Sequence, residues 1–296
     1  MSIPAEVRRG VEERFGAIRA AVEVGGGCIH SGHHVRAASG DLFLKFGRGT
    51  GAGFFAAEAE GLRQLAAAAE GVRVPDVHGF IDAGMEREYG WIVMEWLEPG
   101  RRGEGFAARL AAGLVALHSA PARGWGWDRD GYIGSLPQEN GAERDWPTFW
   151  AKRRLEPQLR GVRERGRLPG SERDWEILLA RLPRALAPAE EDGPSLLHGD
   201  LWGGNILAIG AGEPALIDPS VYRGHREVDL AMSELFGGFD REFYDTYESL
   251  RPLRPGYREL RRGIYQLYYL LVHVNLFGDG YVARTGATLR SVVSRL

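Results

Sequence analysis

One short stretch, LLHGDLWGGNILAIGAGEPALIDP at residues 196–219, contains four side chains whose types and spacing could do chemistry: His198, Asp200, Asn205 and Asp218. Asp200 and Asn205 are separated by four residues. This D-x-x-x-x-N spacing is used in phosphoryl transfer when the aspartate orients an attacking hydroxyl and the asparagine holds a magnesium ion. Asp218 would be the second ligand, because Mg²⁺ prefers hard oxygen atoms and takes its remaining ligands from water and phosphate.

The residues between Asn205 and Asp218 predict a hairpin, with strands at 206–209 and 215–217. Such a hairpin brings both side chains to the same end. The structural alternative is that Asp and Asn in loops mostly cap turns. We favour catalysis, because a lysine, a carboxylate and a glycine cluster precede this stretch in the order that phosphoryl transfer requires.

Lys45 stands out because arginine supplies nearly all of the 37 basic residues, and the one other lysine is Lys152. It lies in DLFLKF, whose alternation is typical of a strand covered on both faces. The next segment, GFFAAEAEGLRQLAAA, predicts a helix with Glu58 on its buried stripe. A buried carboxylate needs a partner, so we pair Glu58 with Lys45. Alternatively, Glu58 reaches water at the helix edge and Lys45 lies on the surface.

A glycine cluster at residues 25–27 precedes the lysine strand. Glycine lets the backbone approach a ligand closely, and a phosphate chain is a common ligand for such a loop. The sequence around this cluster matches neither the dinucleotide-binding motif GxGxxG nor the Walker A motif. A plain flexible hairpin tip is therefore the alternative.

The composition describes an ordinary globular protein of 296 residues with a net charge of −3. The length favours two lobes. No cluster of basic residues in the sequence predicts nucleic-acid binding. The apolar segment 264–277 is short for a membrane span and carries polar residues, so we expect a buried helix and no membrane association. We find no signal-peptide pattern, and the single Cys28 excludes an internal disulfide. We therefore expect a cytoplasmic enzyme.

Strands are predicted near 77–81 and 91–95, followed by the Pro/Gly-rich linker EWLEPGRRGEG. We place the lobe boundary there, with an N-terminal nucleotide-binding lobe at 1–97 and a C-terminal helical lobe at 98–296. The second lobe holds the catalytic loop and the substrate pocket. Its predicted helices are 106–119, 146–165, 172–186, 226–236, 242–250 and 257–277.

At this level the chain resembles the protein-kinase-like fold of small-molecule kinases, and more narrowly the fructosamine-3-kinase (ketosamine kinase) family. HGDLWGGN is similar to the family's catalytic loop. Other segments match in order: GGGCI, FFAAEAEGLRQL, GWGWDRDGYIGSLPQ, DPSVYRGHREVDLAMSELFGGF and YQLYYLLVHVNLFG. HGD-x-x-x-x-N alone would indicate only the aminoglycoside and choline kinase superfamily, whereas Trp202 and Gly-His-Arg-Glu make the resemblance specific. The implied fold is α+β, with a small β-rich N-lobe containing one key helix and a larger, mainly helical C-lobe.

The resemblance implies a role for each matching residue on the nucleotide side. Lys45 would hold the α- and β-phosphates of ATP, and Glu58 would hold Lys45. The loop residues that would cover the nucleotide are Gly26 and Gly27, and the backbone that would bind adenine is that of Glu95, Trp96 and Leu97.

On the acceptor side, the resemblance implies that Asp200 is the catalytic base and that Asn205 and Asp218 bind Mg²⁺. Trp202 would form a wall for the sugar, since an indole face accepts both C–H groups and an amine, and His273 would line the same pocket. Trp202 could instead be a core residue. The residues given structural roles are His198 and Asp229.

The implied reaction transfers the ATP γ-phosphoryl group to the 3-hydroxyl of a ketoamine, of fructosamine or ribulosamine type. The ketoamine would be free or on a glycated protein lysine, which would make this a deglycation-type repair kinase. A related kinase for an aminoglycoside, choline or homoserine is the nearer alternative, and a non-catalytic nucleotide-binding regulator is the more distant one. Cys28 lies in the phosphate loop, where the resemblance implies redox sensitivity, so the chain is either a monomer or a redox-linked dimer. A small apolar role for Cys28 is the alternative.

Overall fold

The computed structural model of the chain describes residues 2–25 and 31–296. The strands are β1 Ala20–Val24, β2 Ser31–Ala37, β3 Gly40–Arg48, β4 Val77–Ile81, β5 Tyr89–Glu95, β6 Gly131–Ile133, β7 Leu136–Gln138, β8 Ser195–Leu197, β9 Ile206–Ile209, β10 Glu213–Leu216 and β11 Tyr222–Gly224. The α-helices are α1 Ala5–Phe15, α2 Phe54–Ala68, α3 Phe106–Ser119, α4 Trp146–Phe149, α5 Glu156–Glu164, α6 Glu172–Ala185, α7 Ala187–Asp192, α8 Glu227–Phe236, α9 Arg241–Leu250, α10 Arg262–Phe277 and α11 Val282–Val293.

Two compact units make up the chain, and neither is continuous in sequence. The first comprises Met1–Gly113 and Gly204–Pro219, and the second comprises Leu114–Gly203 and Ser220–Leu296. The boundary predicted between residues 97 and 98 divides the chain by function and stays a prediction. By contacts, the first unit runs further along the chain and also takes in the hairpin that follows the catalytic loop.

The first unit contains a five-stranded antiparallel sheet in the order β1-β2-β3-β5-β4. The alternation in β3 buries Leu42, Leu44 and Phe46 on one face, where α1 contributes Val7 and Val11 to the same core. The opposite face, which carries Lys45, is partly covered. The alternation in the sequence predicts a strand covered on both faces, whereas in the structure the face that carries Lys45 is of intermediate burial.

The predicted hairpin is confirmed as β9 and β10, paired antiparallel from Ile206–Leu216 to Ile209–Glu213. Backbone hydrogen bonds attach it to earlier parts of the first unit. The amide of Arg73 donates to Pro214 at 2.8 Å, and that of Gly100 donates to Ala208 at 2.7 Å. These bonds explain why residues 204–219 belong to the first unit although they are remote from it in sequence.

The second unit is mainly helical, and its helix α10 has nine buried residues among sixteen. The predicted helix at 146–165 is present, but its middle, Trp150–Leu155, is a π-helical segment joining α4 to α5. Two short strand pairs, β6–β7 and β8–β11, and the helix α11 were not predicted. Across residues 2–25 and 31–296, no helix combines the length and the apolar character needed to cross a membrane.

Candidate active site

Lys45 lies between two carboxylates in the first unit. Its Nζ donates to Glu58 Oε1 at 3.0 Å, to Glu58 Oε2 at 3.1 Å and to Asp218 Oδ1 at 3.1 Å. The side chains of Lys45 and Glu58 are 12% and 7% exposed, so neither is a surface residue. The predicted pairing of Lys45 with Glu58 is therefore confirmed, and the alternative, in which Glu58 reaches water at the helix edge and Lys45 lies on the surface, is wrong.

The surroundings of Lys45 keep it charged. Burial by itself lowers the pKa of an ammonium group, but Asp218 and Glu58 together outweigh it and raise the pKa of Lys45 above its ordinary value. Burial raises the pKa of Glu58, and the neighbouring Lys45 opposes that shift. A permanent cation is thus fixed at this place in the first unit.

Asp218 adopts a left-handed backbone conformation with a φ of 51°, alone among the described non-glycine residues. The amide of Ile217 donates to Asn205 O at 3.1 Å, and Asn205 Nδ2 donates to Asp218 O at 3.3 Å. The hairpin therefore brings Asn205 and Asp218 together, as predicted. A non-glycine residue in this region is strained, and such strain is concentrated at functional sites.

The donor set formed by Asn205 and Asp218 fits magnesium. One carboxylate and one amide are the kind of protein ligands that Mg²⁺ takes when phosphates and water complete its shell. Within the described part of the chain, no group of three His, Cys, Asp or Glu residues could hold a metal ion by itself. The site therefore suits a metal that arrives with a nucleotide rather than one held by a protein cage.

The catalytic loop belongs to the second unit and is held by its backbone. The Asp229 carboxylate accepts from the amides of His198 at 2.8 Å and Gly199 at 2.9 Å. The amide of Asp200 donates to His198 Nδ1 at 3.2 Å, and Tyr269 Oη donates to Gly199 O at 2.7 Å. These bonds are compatible with the structural roles predicted for Asp229 and His198, which stay predictions.

Gly199 is required at its place in this loop. Its φ is +81°, and a Cβ there would lie 1.9 Å from the backbone oxygen of Ser220. No side chain fits that approach. The glycine of the HGD motif therefore serves the path of the backbone immediately before Asp200.

His118 contributes to the same support and was missed by the sequence analysis. It is fully buried on α3, and its imidazole lies 3.1 Å from Asp229 Oδ2 and 2.8 Å from Tyr247 Oη. Burial lowers its pKa, so the ring is neutral, and Nε2 donates to the carboxylate while Nδ1 accepts from the tyrosine. In the sequence His118 is a histidine in an apolar helix. That pattern is common in proteins, so it does not indicate which residue the histidine contacts.

Trp202 and His273, both predicted to contact the sugar, lie in the second unit. Trp202 is half-buried and does not belong to the buried core, so the alternative of a core tryptophan is not supported. His273 donates from Nδ1 to Tyr269 O at 2.8 Å and packs on Phe236, with ring centroids 4.4 Å apart. Burial lowers the pKa of His273, which keeps the ring neutral. The substrate roles of both residues stay predictions.

The segment Glu95–Leu97, predicted to bind adenine, is well fixed in the first unit. Arg73 holds the Glu95 carboxylate at 2.6 Å, the ring of Trp96 stacks on His34 at 3.9 Å, and Leu97 packs in a small apolar cluster. Contact with a base stays a prediction. The predictions for Gly26, Gly27 and Cys28 fall outside the described residues.

Taken separately, the two units contain the parts of one enzyme class. The first has a lysine–glutamate pair on an antiparallel sheet and an Asn/Asp pair on a hairpin, and the second has an aspartate in a loop anchored to a buried carboxylate. This combination of fold and residues defines a phosphotransferase of the protein-kinase-like class.

Comparisons with known proteins identify the family. A model of the fructosamine kinase family matches residues 4–295, and the chain belongs to this family. A protein named as a probable ketoamine kinase from Enterococcus faecium is 39% identical over 271 residues, or 91% of this chain and 94% of that protein. A chloroplastic protein-ribulosamine 3-kinase from Arabidopsis thaliana is 37% identical over 265 residues, or 87% of this chain and 78% of that protein.

Solved structures agree with this assignment. A candidate fructosamine-3-kinase from Thermobifida fusca has a TM-score of 0.82 and 36% identity, and the match covers 98% of this chain and 99% of that one. An aminoglycoside phosphotransferase in complex with ADP and hygromycin B has a TM-score of 0.64 at 15% identity, which shows a shared fold alone. The chain is therefore an ATP-dependent kinase with the predicted α+β fold, and neither the aminoglycoside, choline or homoserine alternative nor a non-catalytic regulator is favoured.

Proposed function

We propose that this kinase transfers the γ-phosphoryl group of ATP to the 3-hydroxyl of a ketoamine. The acceptor is of fructosamine or ribulosamine type, either free or on a protein lysine. The observation that carries the phosphoryl-transfer part is the Lys45 ammonium held by Glu58 and Asp218 at 3.0–3.1 Å. Membership of the fructosamine kinase family, with relatives named for ketoamines and ribulosamine, supports the acceptor.

On the nucleotide side, Lys45 binds the α- and β-phosphates and Glu58 keeps the ammonium in place. The lysine is a point charge with three donors, so it can bind phosphate oxygens while it remains bonded to a carboxylate. The apolar cluster of Leu97, Ile209 and Ala215, with the partly buried Leu207 and Ile217 beside it, offers a surface for adenine. We also assign Gly26 and Gly27 to the phosphates, from the glycine cluster in the sequence alone.

Asn205 and Asp218 would hold Mg²⁺, which supplies positive charge to the phosphates when it is bound. The contribution of the chain is to preset these two side chains. Asp218 is fixed by its bond to Lys45 and by its left-handed backbone, and Asn205 by its bond to Asp218 O. Little reorganisation is then needed when the nucleotide binds.

Asp200 orients the 3-hydroxyl of the ketoamine and accepts its proton. The hydroxyl oxygen forms a bond to the γ-phosphorus as the bond from phosphorus to the β,γ-bridging oxygen breaks, and ADP leaves with that oxygen. Most of the rate comes from this positioning and from charge stabilisation. Trp202 provides a face for the sugar. Because His273 Nδ1 donates to Tyr269 O, Nε2 of the neutral ring is the atom that can accept from a sugar hydroxyl.

A substrate panel tests this proposal. Release of ADP is followed with ribulosamine, erythrulosamine and fructosamine, each as the free amine and on a glycated protein, and the position of the phosphate is read by NMR. An aminoglycoside, choline and homoserine serve as competing acceptors. Phosphorylation at O3 of a ketoamine is expected. Preference for a competing acceptor, or no transfer to any ketoamine, would contradict the proposal.

We propose separately that Cys28 can join two chains, since the sequence holds one cysteine and any disulfide must be intermolecular. A cytoplasmic location agrees with the same cysteine content. Nonreducing gels of oxidised wild type and Cys28→Ser test the disulfide. A dimer that persists in the variant would exclude this thiol.

A further inference from the structure

Arg154 is a fully buried arginine without a carboxylate partner among the described residues. It is 0% exposed, and two other arginines, Arg226 and Arg261, are 2% exposed. Those two are neutralised, Arg226 by Asp192 at 2.9 Å and Arg261 by Glu227 at 2.7 Å. Burying a charge without an opposite charge costs free energy of folding, so the burial of Arg154 needs a structural explanation.

Neutral oxygens and aromatic rings surround the Arg154 guanidinium. Nη1 donates to Glu139 O at 2.6 Å, and Nη2 donates to Asn140 Oδ1 at 2.7 Å. Its Cζ lies 3.9 Å from the ring centroid of Tyr222, 4.7 Å from that of Phe149 and 5.7 Å from that of Tyr268. Desolvated cation–π contacts of this kind are favourable and directional. Arg154 thus fastens together residues 139–140, β11 and α10.

Two of these three segments hold the catalytic loop. Tyr222 pairs with Leu197 in the β8–β11 ladder, and β8 leads directly into His198. On α10, the residue after Tyr268 is Tyr269, which donates to Gly199 O. A displacement of Tyr222 or Tyr268 is therefore passed to the backbone at Leu197, just before the HGD motif, and at Gly199 within it. The third segment is tied in as well, because Gln138 Nε2 donates to Tyr268 Oη at 3.0 Å.

We propose that Arg154 is a positioning residue for phosphoryl transfer, which sets the catalytic loop through Tyr222 and α10 and does not touch the substrate. This inference rests on the proposed function for its kinetic readout. The residues that contact the Arg154 guanidinium, namely Asn140, Phe149, Tyr222 and Tyr268, form what we call the Arg154 cage, and they belong to the second unit. The residues assigned to the nucleotide belong to the first unit: Lys45, Glu58, Asn205 and Asp218. Loss of the cage should therefore impair turnover without impairing ATP binding.

The test compares wild type with Arg154→Met in the full-length enzyme. We expect kcat for the ketoamine to fall by about 10²-fold, the loss that a misplacement of about 1 Å in a catalytic group produces. The KM for ATP should stay within about twofold, because the contacts of Lys45, Glu58 and Asp218 are not altered by the substitution. Amide hydrogen exchange of a peptide spanning residues 196–203 should become faster without any ligand.

Two further variants keep the test decisive. Leu159→Ala opens a cavity at a residue that is 0% exposed in α5, the helix that follows the π-helical segment of Arg154, and serves as a stability control. It should lower the melting temperature without accelerating exchange in residues 196–203. If Arg154→Met does not fold, Arg154→Lys replaces it, because lysine keeps the charge but lacks the planar fork. The expected changes have the same direction.

The outcomes separate this inference from the proposed function. Wild-type exchange and kcat in a folded Arg154 variant would overturn the positioning role, as would equal acceleration of loop exchange in Leu159→Ala. If wild type phosphorylates no ketoamine, the proposed function fails, and the exchange data still decide whether Arg154 holds the loop.

Discussion

Lys45 shows how much of the site depends on a single side chain. One ammonium satisfies a buried glutamate and an aspartate with a strained backbone, and the resulting charge is available to phosphates. Removing it would leave Glu58 buried without a cation. Such uncompensated burial is among the larger costs that a substitution can impose.

We therefore predict that Lys45→Met lowers the free energy of unfolding by about 3 kcal/mol and weakens ATP binding by at least about tenfold. Denaturant titration and nucleotide titration measure the two effects. Lys152→Met is the matched control, because it removes the only other lysine, which is exposed. Equal effects in the two variants would show that the pairing has no special importance.

Asp200 can be tested with the smallest possible change. Asp200→Asn should lower kcat by about 10²- to 10⁴-fold, because the amide cannot accept the proton of the hydroxyl. The KM for ATP should remain close to that of wild type. A variant with full turnover would refute the assignment of Asp200 as the base.

Single residues also mark the limit of prediction from the sequence. Lys45 and Glu58 are only 13 residues apart in the sequence. They could be paired because the alternation of the strand places Lys45 on one face and the apolar stripe of the next helix includes Glu58. His118 could not be assigned, since its partner Asp229 is 111 residues away and only the fold brings them together. Arg154 likewise makes contacts that no local sequence pattern predicts.

At the level of elements, long periodic segments were predictable and short ones were not. The predicted helix at 106–119 matches α3 to the residue, and the predicted hairpin is present. β8 and β11 have three residues each, which is too few for a periodic signal. Helix α11 contains Val, Thr and Gly, which are poor helix formers, and it is stabilised by packing against α10.

The loop that joins β8 to β9 provides an element-scale prediction. Gly199→Ala should destabilise the protein by more than about 3 kcal/mol or abolish activity, because the new Cβ would meet the oxygen of Ser220 at 1.9 Å. Gly193→Ala is the control, since its φ of +72° carries similar strain but nothing lies within 4 Å. Thermal unfolding of both variants separates the clash from the strain. Equal losses would show that the close approach is unimportant.

For the whole molecule, buried neutral histidines predict an acid-sensitive fold. Burial lowers the pKa of His118 and of His225, both 0% exposed in their side chains. In the unfolded chain these groups bind protons below their ordinary pKa of about 6.5, while the folded protein resists protonation. Their contribution to stability is therefore complete above about pH 6.5 and is lost as the pH falls toward the folded pKa.

We predict that the free energy of unfolding decreases between pH 7 and pH 5, by up to about 1.4 kcal/mol per pH unit for each such histidine. Denaturant unfolding at several pH values measures the slope. His118→Gln should flatten it, because it removes one of the two buried groups whose pKa is lowered. A slope that is the same in wild type and His118→Gln would contradict the assignment.

The first unit is assembled from two separate stretches of the chain, and this affects how the protein is made. When residue 113 has left the ribosome, Arg73, Gly100 and Leu97 still lack the hairpin residues that bond to them or cover them. They must wait until about a hundred further residues have been translated. During that interval the first unit lacks its hairpin, and the residues that the hairpin covers are accessible to chaperones and proteases. A gene truncated after residue 113 would encode a first unit that never acquires the hairpin.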